Sequence, residues 1–444
     1  MAERDRDLRR ARAVVVGAGF GGLQAAKRLA GGGIDVTIVD RHNYHTFQPL
    51  LYQVATAGLN AADVAYAVRG IFHRQRNVTF RQAEVTGVDW DRDVLLTDHD
   101  AASSIPFDYL VVAAGATASY FGIRGAEQCA FPLYSLTDAI RLRNHVLDRF
   151  EAADADPSLI DDGALTFVIV GGGPTGVEVA GALAELFAMV LRKDFRSLDV
   201  GKARVVLVEM ADTLLPPFAA SSQCHARDRL QDMGVEVRTR EAVEEVTPTR
   251  VRLASGEQLA THTLIWAAGV RANPLAAALG VPVGRSGRIV VGADLRIDGH
   301  REAFAVGDIA VIPDGHGGVL PMLAPVAMQS GRYAAAEILR AERRRGAGSA
   351  AGAGAPARPS RPFRYLNKGT MATIGRRAAV AELPLRIRLS GTPAWMAWLG
   401  LHLVTLIGFR NRLSVLLNWA WNYLTWDRGP RLILRLQRDR GPAS

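Results

Sequence analysis

Cysteine is nearly missing from this sequence. Its 444 residues hold two, Cys129 and Cys224, far apart and in no paired motif. That excludes a disulfide framework and a cysteine metal knuckle, so no metal site is expected and a reducing compartment is the natural reading. The N-terminus lacks an apolar core: MAERDRDLRRARA stays charged up to the first strand-like run. This argues against a secretory signal and for a protein that stays inside the cell. Lysine is absent from Arg386 to Arg440, where nine arginines face two acids, so nearly all of the net charge of +9 sits in the tail. Those arginines alternate with leucine and tryptophan rather than with polar residues, which points away from nucleic acid and toward a membrane surface. The uncharged stretch Pro393 to Phe409 is 17 residues, short of the roughly 20 needed to cross a bilayer as a helix.

What is present is a chain long enough for two or three domains, 49% hydrophobic and ordinary in composition. Residues 12 to 40 read strand, glycine turn, helix, strand. In VVVGAGFGGLQAA, Gly17 permits the tight turn, Gly19 lets a pyrophosphate approach the backbone, and Gly22 lets the helix pack on the strand. Phe20 and Gly21 complete the loop, and the helix N-terminus carries the phosphate charge. Asp40 ends the next strand, placed to accept a hydrogen bond from a ribose hydroxyl, with Arg41 after it.

The same pattern returns from 165 to 209. VIVGGGPTGVEVAGALAEL supplies Gly171, Gly173 and Gly176, with Pro174 and Thr175 at the helix start. Glu209, closing VVLVE, would bond an adenosine ribose and repel a 2′-phosphate, which favours NADH over NADPH. Glu178, two residues beyond Gly176, reads either as first-turn charge compensation or as a group near the nicotinamide or its acceptor. Two such units in one chain describe an α/β protein that binds two dinucleotides.

Two buried-looking strands end in small residues, at Ala114 and Gly115 and at Ala268 and Gly269, and both are suited to closing over a cofactor. In REAFAVGDIA, Gly307 and Asp308 either approach a cofactor on the first unit or make an ordinary strand exit. Residues 341 to 362, nearly all Ala, Gly, Pro, Ser and Arg, are expected to form a mobile surface excursion.

The segments GAGFGG, HTFQPLLYQVATAGL, VVAAGA, GGGPTGVEVAGALAEL, IWAAGV, FAVGD, LAPVAMQ, KGTMATIGR and GFRNRLSVLLNWAWNYLTWDRG together resemble the type II NADH:quinone oxidoreductases, over nearly the whole chain. The resemblance implies two doubly wound Rossmann-like domains of the flavin disulfide reductase kind and a C-terminal membrane-binding helical segment. It implies FAD on the first unit, NADH on the second, and hydride transfer followed by two-electron reduction of a membrane quinone, menaquinone or ubiquinone, without proton pumping.

By that resemblance, residues 1–125 and 291–340 form the FAD-binding domain and 161–290 the NADH-binding domain. A connecting helix spans 126–160, a flexible loop 341–362, a flavin and quinone segment 363–390 and an amphipathic membrane-binding tail 391–444. Glu178 matches the family's glutamate after the nicotinamide-site glycines, Asp308 its flavin aspartate, and Lys368 its lysine beside the flavin ring, where a cation stabilises reduced flavin. Gln48 and Ala327 fall among its cofactor contacts. One departure concerns the family's A-Q-x-A-x-Q segment: this chain reads APVAMQ, with Pro325 for the first glutamine and Gln329 as the second.

Two other readings stay open. A sulfide:quinone-type flavoprotein would need cysteines at the flavin and no complete NAD unit, and an NADH-sensing flavoprotein would act through binding. In the tail, Leu413, Leu416, Leu417, Ala420 and Leu424 recur at helical spacing, and five of the seven tryptophans gather there. The expected attachment is monotopic, on the cytoplasmic side of the cell membrane, by a helix lying in one leaflet. Packing of that face on the protein's own core or on a second subunit, as a homodimer, is the alternative.

Overall fold

A computed structural model describes residues 10–98, 104–350, 361–425 and 429–433, with 346–350 as backbone alone. The chain divides into two compact units: Met1–His45, Tyr66–Thr117 and Val270–Asn367 in one, and Thr46–Ala65, Ala118–Gly269 and Lys368–Ser444 in the other. The boundaries thus fall at 117 and 269 rather than at the expected 125 and 290, and residues 46–65 group with the second unit.

In the first unit the β-branched run Val14 to Val16 is buried on both faces, which suits the centre of a parallel sheet. Strand Arg12–Val16 lies between Tyr109–Val112 and Asp35–Asp40, all parallel; Val78–Gln82 flanks one side, and His300–Ala305 and Arg296–Ile297 the other. Helix α1 (Phe20–Ala30) follows the central strand and packs along the long helix Ala324–Ala350. That long helix corrects the expected excursion at its start, because residues 341–350 continue the helix. Its alanines and arginines are good helix formers, and their propensity outweighs the missing apolar period. The rest of the excursion, 351–360, lies outside the described residues.

The second unit repeats the device. Helix α2 (Leu51–Ala55) comes from its first segment, and Thr166–Val170 centres a five-stranded parallel sheet between Thr263–Trp266 and Arg204–Glu209. Helix α3 (Pro174–Glu185) continues through a π turn, Leu186–Leu191, to Asp194. Pro174–Asp194 is the one helix among the described residues long and apolar enough to cross a membrane, yet 67% of its apolar window is buried inside the protein, so it is a core helix.

The C-terminal part opens with an antiparallel meander of Thr370–Thr373, Ala379–Leu383 and Ile387–Ser390. Helix α4 (Gly391–Thr405) lays Ala394 and Trp395 on it, the chain turns at Gly408 (φ 89°), and helix α5 (Phe409–Thr425) follows. The uncharged stretch is therefore split by a turn rather than forming one span.

Helix α5 is turned with its polar side inward. Asn411 Nδ2 donates to the Ala62, Asp63 and Ala65 carbonyls at 3.0–3.1 Å, Ser414 Oγ donates to Asp63 at 2.6 Å, and Asn418 Nδ2 donates to the other Asp63 oxygen at 3.0 Å. Asn422 reaches the Gly58 carbonyl. Removing the Asn411 amide removes one donor group shared by three carbonyls, so Asn411→Ala should cost about 1–3 kcal/mol of docking. Hydrogen exchange confined to α5, measured beside thermal unfolding, checks this; unchanged protection there would refute it.

Candidate functional site

The first glycine turn is tight and leaves open space above its middle glycine. Gly17 has φ +97°, and a Cβ there would lie 2.4 Å from the Ala113 carbonyl oxygen; a Cβ on Gly22 would lie 1.9 Å from the Gly17 oxygen. Over Gly19 nothing lies within 4 Å, and the N-terminus of α1 carries no side-chain cap. An uncapped helix N-terminus below open space suits an anion.

Asp40 and His45 grip this loop from opposite sides. The Ala18 amide donates to Asp40 Oδ2 at 2.7 Å, the His42 amide donates to Oδ1 at 2.7 Å, and the Ala18 carbonyl accepts from His45 Nδ1 at 2.8 Å. Burial pushes the His45 imidazole down to about 4, so it is neutral, with the proton on Nδ1 because a carbonyl can only accept. His45 was not singled out from the sequence. Arg41 is exposed, and Ala114 and Gly115 (φ +70°) are half-buried beside the loop's own strand.

The second turn copies the first. Gly171 has φ +107°, Gly176 sits against the Gly171 carbonyl, and Gly173 faces open space at an uncapped helix start, with Pro174 and Thr175 exposed. Glu209 takes the place of Asp40: its Oε2 accepts from the Gly172 amide at 2.5 Å and its Oε1 from the Ala211 amide at 2.7 Å. Gly269 bonds the Ser119 amide through its carbonyl, next to half-buried Ala268, and is covered by the Phe121 ring. Each cradle thus fits a dinucleotide: open space above a glycine, an uncapped helix start, and a carboxylate at the end of the next strand.

Elsewhere in the first unit, the Gly307 amide donates to buried Ser330 Oγ, which bonds the Ala327 carbonyl. Half-buried Asp308 is in electrostatic contact with Arg288, a buried cation that the sequence did not mark. Gln329 has both ends of its amide on the Leu366 backbone, at 3.0 Å each. In this arrangement it fastens the segment before Asn367. In the second unit, Gln48 Nε2 donates to the Tyr134 carbonyl at 3.2 Å, and Lys368 is exposed, one residue before Gly369 (φ +96°).

Glu178 is the most perturbed acid. It is the fifth residue of α3, beyond the first turn, so the reading as first-turn compensation does not hold. Its carboxyl accepts from the Thr373 amide at 3.3 Å and from the side chains of Thr373 and Trp398. Some of its surface is open, but the packing around it is dense enough that desolvation outweighs those bonds and pushes it up to about 8.

Beside it lies an open cavity lined by Tyr52, Thr373, Glu185, Arg376, Trp398 and Trp419 among others. Aromatic walls with a few convergent polar groups describe a site for a flat organic ligand. Tyr52, Gln53 and Trp419 stand in segments the sequence marked, but their convergence on Thr373 carried no signal there.

A family model for pyridine nucleotide-disulphide oxidoreductases matches residues 11–331, and one for the NDH2 C-terminal domain matches 367–426. The type II NADH:quinone oxidoreductase NdhA of Mycobacterium tuberculosis is 38% identical over 435 residues, covering 96% of this chain and 89% of its own length. The chain belongs to the type II NADH:quinone oxidoreductase family. The enzyme of that name from Staphylococcus haemolyticus is 33% identical over 82% of the chain and 88% of its own length. Among solved structures, NDH2 from Plasmodium falciparum in complex with NADH superposes with a TM-score of 0.83 at 20% identity, covering 96% of this chain and all of that one, a likeness of fold. The sulfide:quinone oxidoreductase of Aquifex aeolicus shares the fold more distantly, at a TM-score of 0.68 and 16% identity over 94% of this chain and 95% of that one.

Proposed function

We propose that this chain oxidises NADH and reduces a membrane quinone, menaquinone or ubiquinone, through one FAD and without pumping protons. What supports the reading is the combination of two carboxylate-clamped dinucleotide cradles with an aromatic cavity that adjoins the tail helices. FAD supplies the chemistry that joins a hydride donor to a quinone. The loop from Gly17 to Gly22, with Asp40, Ala114, Gly115, Gly307, Asp308 and Ala327, holds the FAD. The loop from Gly171 to Gly176, with Glu209, Ala268 and Gly269, holds NADH. The cavity receives the quinone ring, and Glu178 holds a proton close to it. Lys368 serves the flavin side, and Gln329 acts by positioning the 361–367 segment.

Membrane association follows from the tail. The outward face of α5 carries Phe409, Leu416, Leu417, Trp421 and Leu424, all exposed, and the exposed arginines Arg386, Arg388, Arg410 and Arg412 lie in the same C-terminal segment. Because NADH is cytosolic, the cytoplasmic face of the membrane is where this surface docks. A homodimer is compatible with the same face.

The test is anaerobic. NADH should bleach the flavin band of the purified protein, and a short-chain quinone should restore it within the turnover time. A band that bleaches and stays bleached would leave the binding-protein reading in its place. Replacing Glu209 with glutamine should narrow the preference for NADH over NADPH by about tenfold, since the carboxylate charge that opposes a 2′-phosphate is removed. Comparing kcat/KM for the two nucleotides measures it, and an unchanged ratio removes the ribose role.

A further inference from the structure

We propose that Thr373 and Tyr52 form a two-hydroxyl proton relay between the Glu178 carboxyl group and the aromatic cavity. Thr373 and Tyr52 line that cavity; Glu178 is not among its lining residues. The carboxyl group meets the cavity through its bonds to Thr373, and Thr373 Oγ1 lies 3.0 Å from the Tyr52 hydroxyl.

The direction of each bond follows from donor chemistry. An indole nitrogen can only donate, so Trp419 Nε1, 2.7 Å from Gln53 Oε1, fixes the orientation of the Gln53 amide. Gln53 Nε2 then donates to the Tyr52 oxygen at 2.9 Å, which leaves the Tyr52 hydrogen directed at Thr373 Oγ1. The Thr373 hydrogen in turn points at the Glu178 carboxylate. When Glu178 is ionised, every hydrogen in the chain is aimed toward it; when it is protonated, the chain runs the other way.

Such a chain loads the carboxylate. A proton donated to Tyr52 from water in the cavity displaces the Tyr52 hydrogen to Thr373 and the Thr373 hydrogen to Glu178. The reverse shift breaks the Glu178 O–H bond and delivers one proton from Tyr52 to an oxygen acceptor in the cavity. One proton moves in each direction and no electrons move. Burial raises the Tyr52 hydroxyl pKa, which keeps it a neutral carrier rather than a phenolate. The other ionisable groups packed around this chain are Glu185, Arg376 and Tyr423 at the cavity wall and His402, stacked 3.9 Å from Trp398 and held neutral by burial.

The role of the acceptor rests on the reading of the cavity as the quinone site, so the test separates the two. In the holoenzyme, the infrared band of a protonated carboxyl that disappears in Glu178→Gln reports Glu178. On transfer to heavy water that band should shift about tenfold more slowly in Tyr52→Phe and in Thr373→Val than in the parent. Thr373→Ser, which keeps the hydroxyl, should restore the rate.

In turnover, kcat for quinone reduction in Tyr52→Phe and Thr373→Val should fall about tenfold relative to reduction of ferricyanide, which takes no proton. Equal band exchange in the parent and both hydroxyl-deleted proteins overturns the relay, as does a Thr373→Ser protein as slow as Thr373→Val. Slowed exchange in a protein that does not reduce quinone keeps the relay and removes its acceptor.

Discussion

Replacing Glu178 with glutamine should slow quinone reduction by about two orders of magnitude, the ordinary worth of a positioned acid. The amide keeps the size of the side chain and can still accept from Thr373 and Trp398, so the effect isolates the proton. In the parent the acid form holds below a pKa of about 8, because burial raises this carboxyl above its ordinary 4.5. Quinone reduction should therefore decline as pH rises through about 8, and the glutamine protein should show no such limb. Stability follows the same sign. The fold favours neutral Glu178, so its contribution is fully present below the ordinary carboxylate value and is lost as pH rises through about 8. Above that pH the glutamine protein should gain in thermal stability on the parent. Stopped-flow rates and melting curves from pH 6 to 9.5 read both effects, and a parent profile flat across that range would remove Glu178 as the donor.

The parts of this molecule legible in the sequence are those whose logic is local. Gly17, Gly19 and Gly22 sit within six residues, and Asp40 lies one strand away, so spacing alone predicts a tight glycine turn between two parallel strands, which the structure has. The same holds for Gly171 to Glu209. Both carboxylates, however, already spend their oxygens on loop amides, a brace that spacing did not disclose. The relay was illegible for the opposite reason: Tyr52 and Thr373 are 321 positions apart, and no motif joins them. Glu178 stood out through its place after the glycines, yet its environment is set by Thr373 and by Trp398 of α4, and neither is near it in the chain. Helix α5 shows the limit of periodicity. The leucine spacing defined an apolar face but not which way it turns; Asp63, 351 positions before Ser414, decides that by taking the polar face.

That orientation carries the second large effect, Leu417→Glu combined with Trp421→Glu. These side chains are 59% and 60% exposed, so the fold does not depend on them, and neither takes part in the hydrogen bonds that Asn411, Ser414 and Asn418 make to the 62–65 segment. Immersing a leucine or a tryptophan in the acyl boundary is worth roughly 1.5–3 kcal/mol each, so losing both costs about 3–6 kcal/mol of binding. Two new negative charges in a segment whose exposed arginines attract anionic headgroups add to that loss. Affinity for vesicles containing anionic lipid should drop at least about a hundredfold. In a flotation assay the parent should rise with the vesicles and the doubly substituted protein should stay behind, with NADH oxidation by ferricyanide as the check on the folded body. Unchanged flotation would detach this face from the membrane. If flotation persists while sedimentation shows a parent dimer falling to a monomer, the face belongs to a second copy of the chain, and the lipid contact must be made elsewhere on the tail.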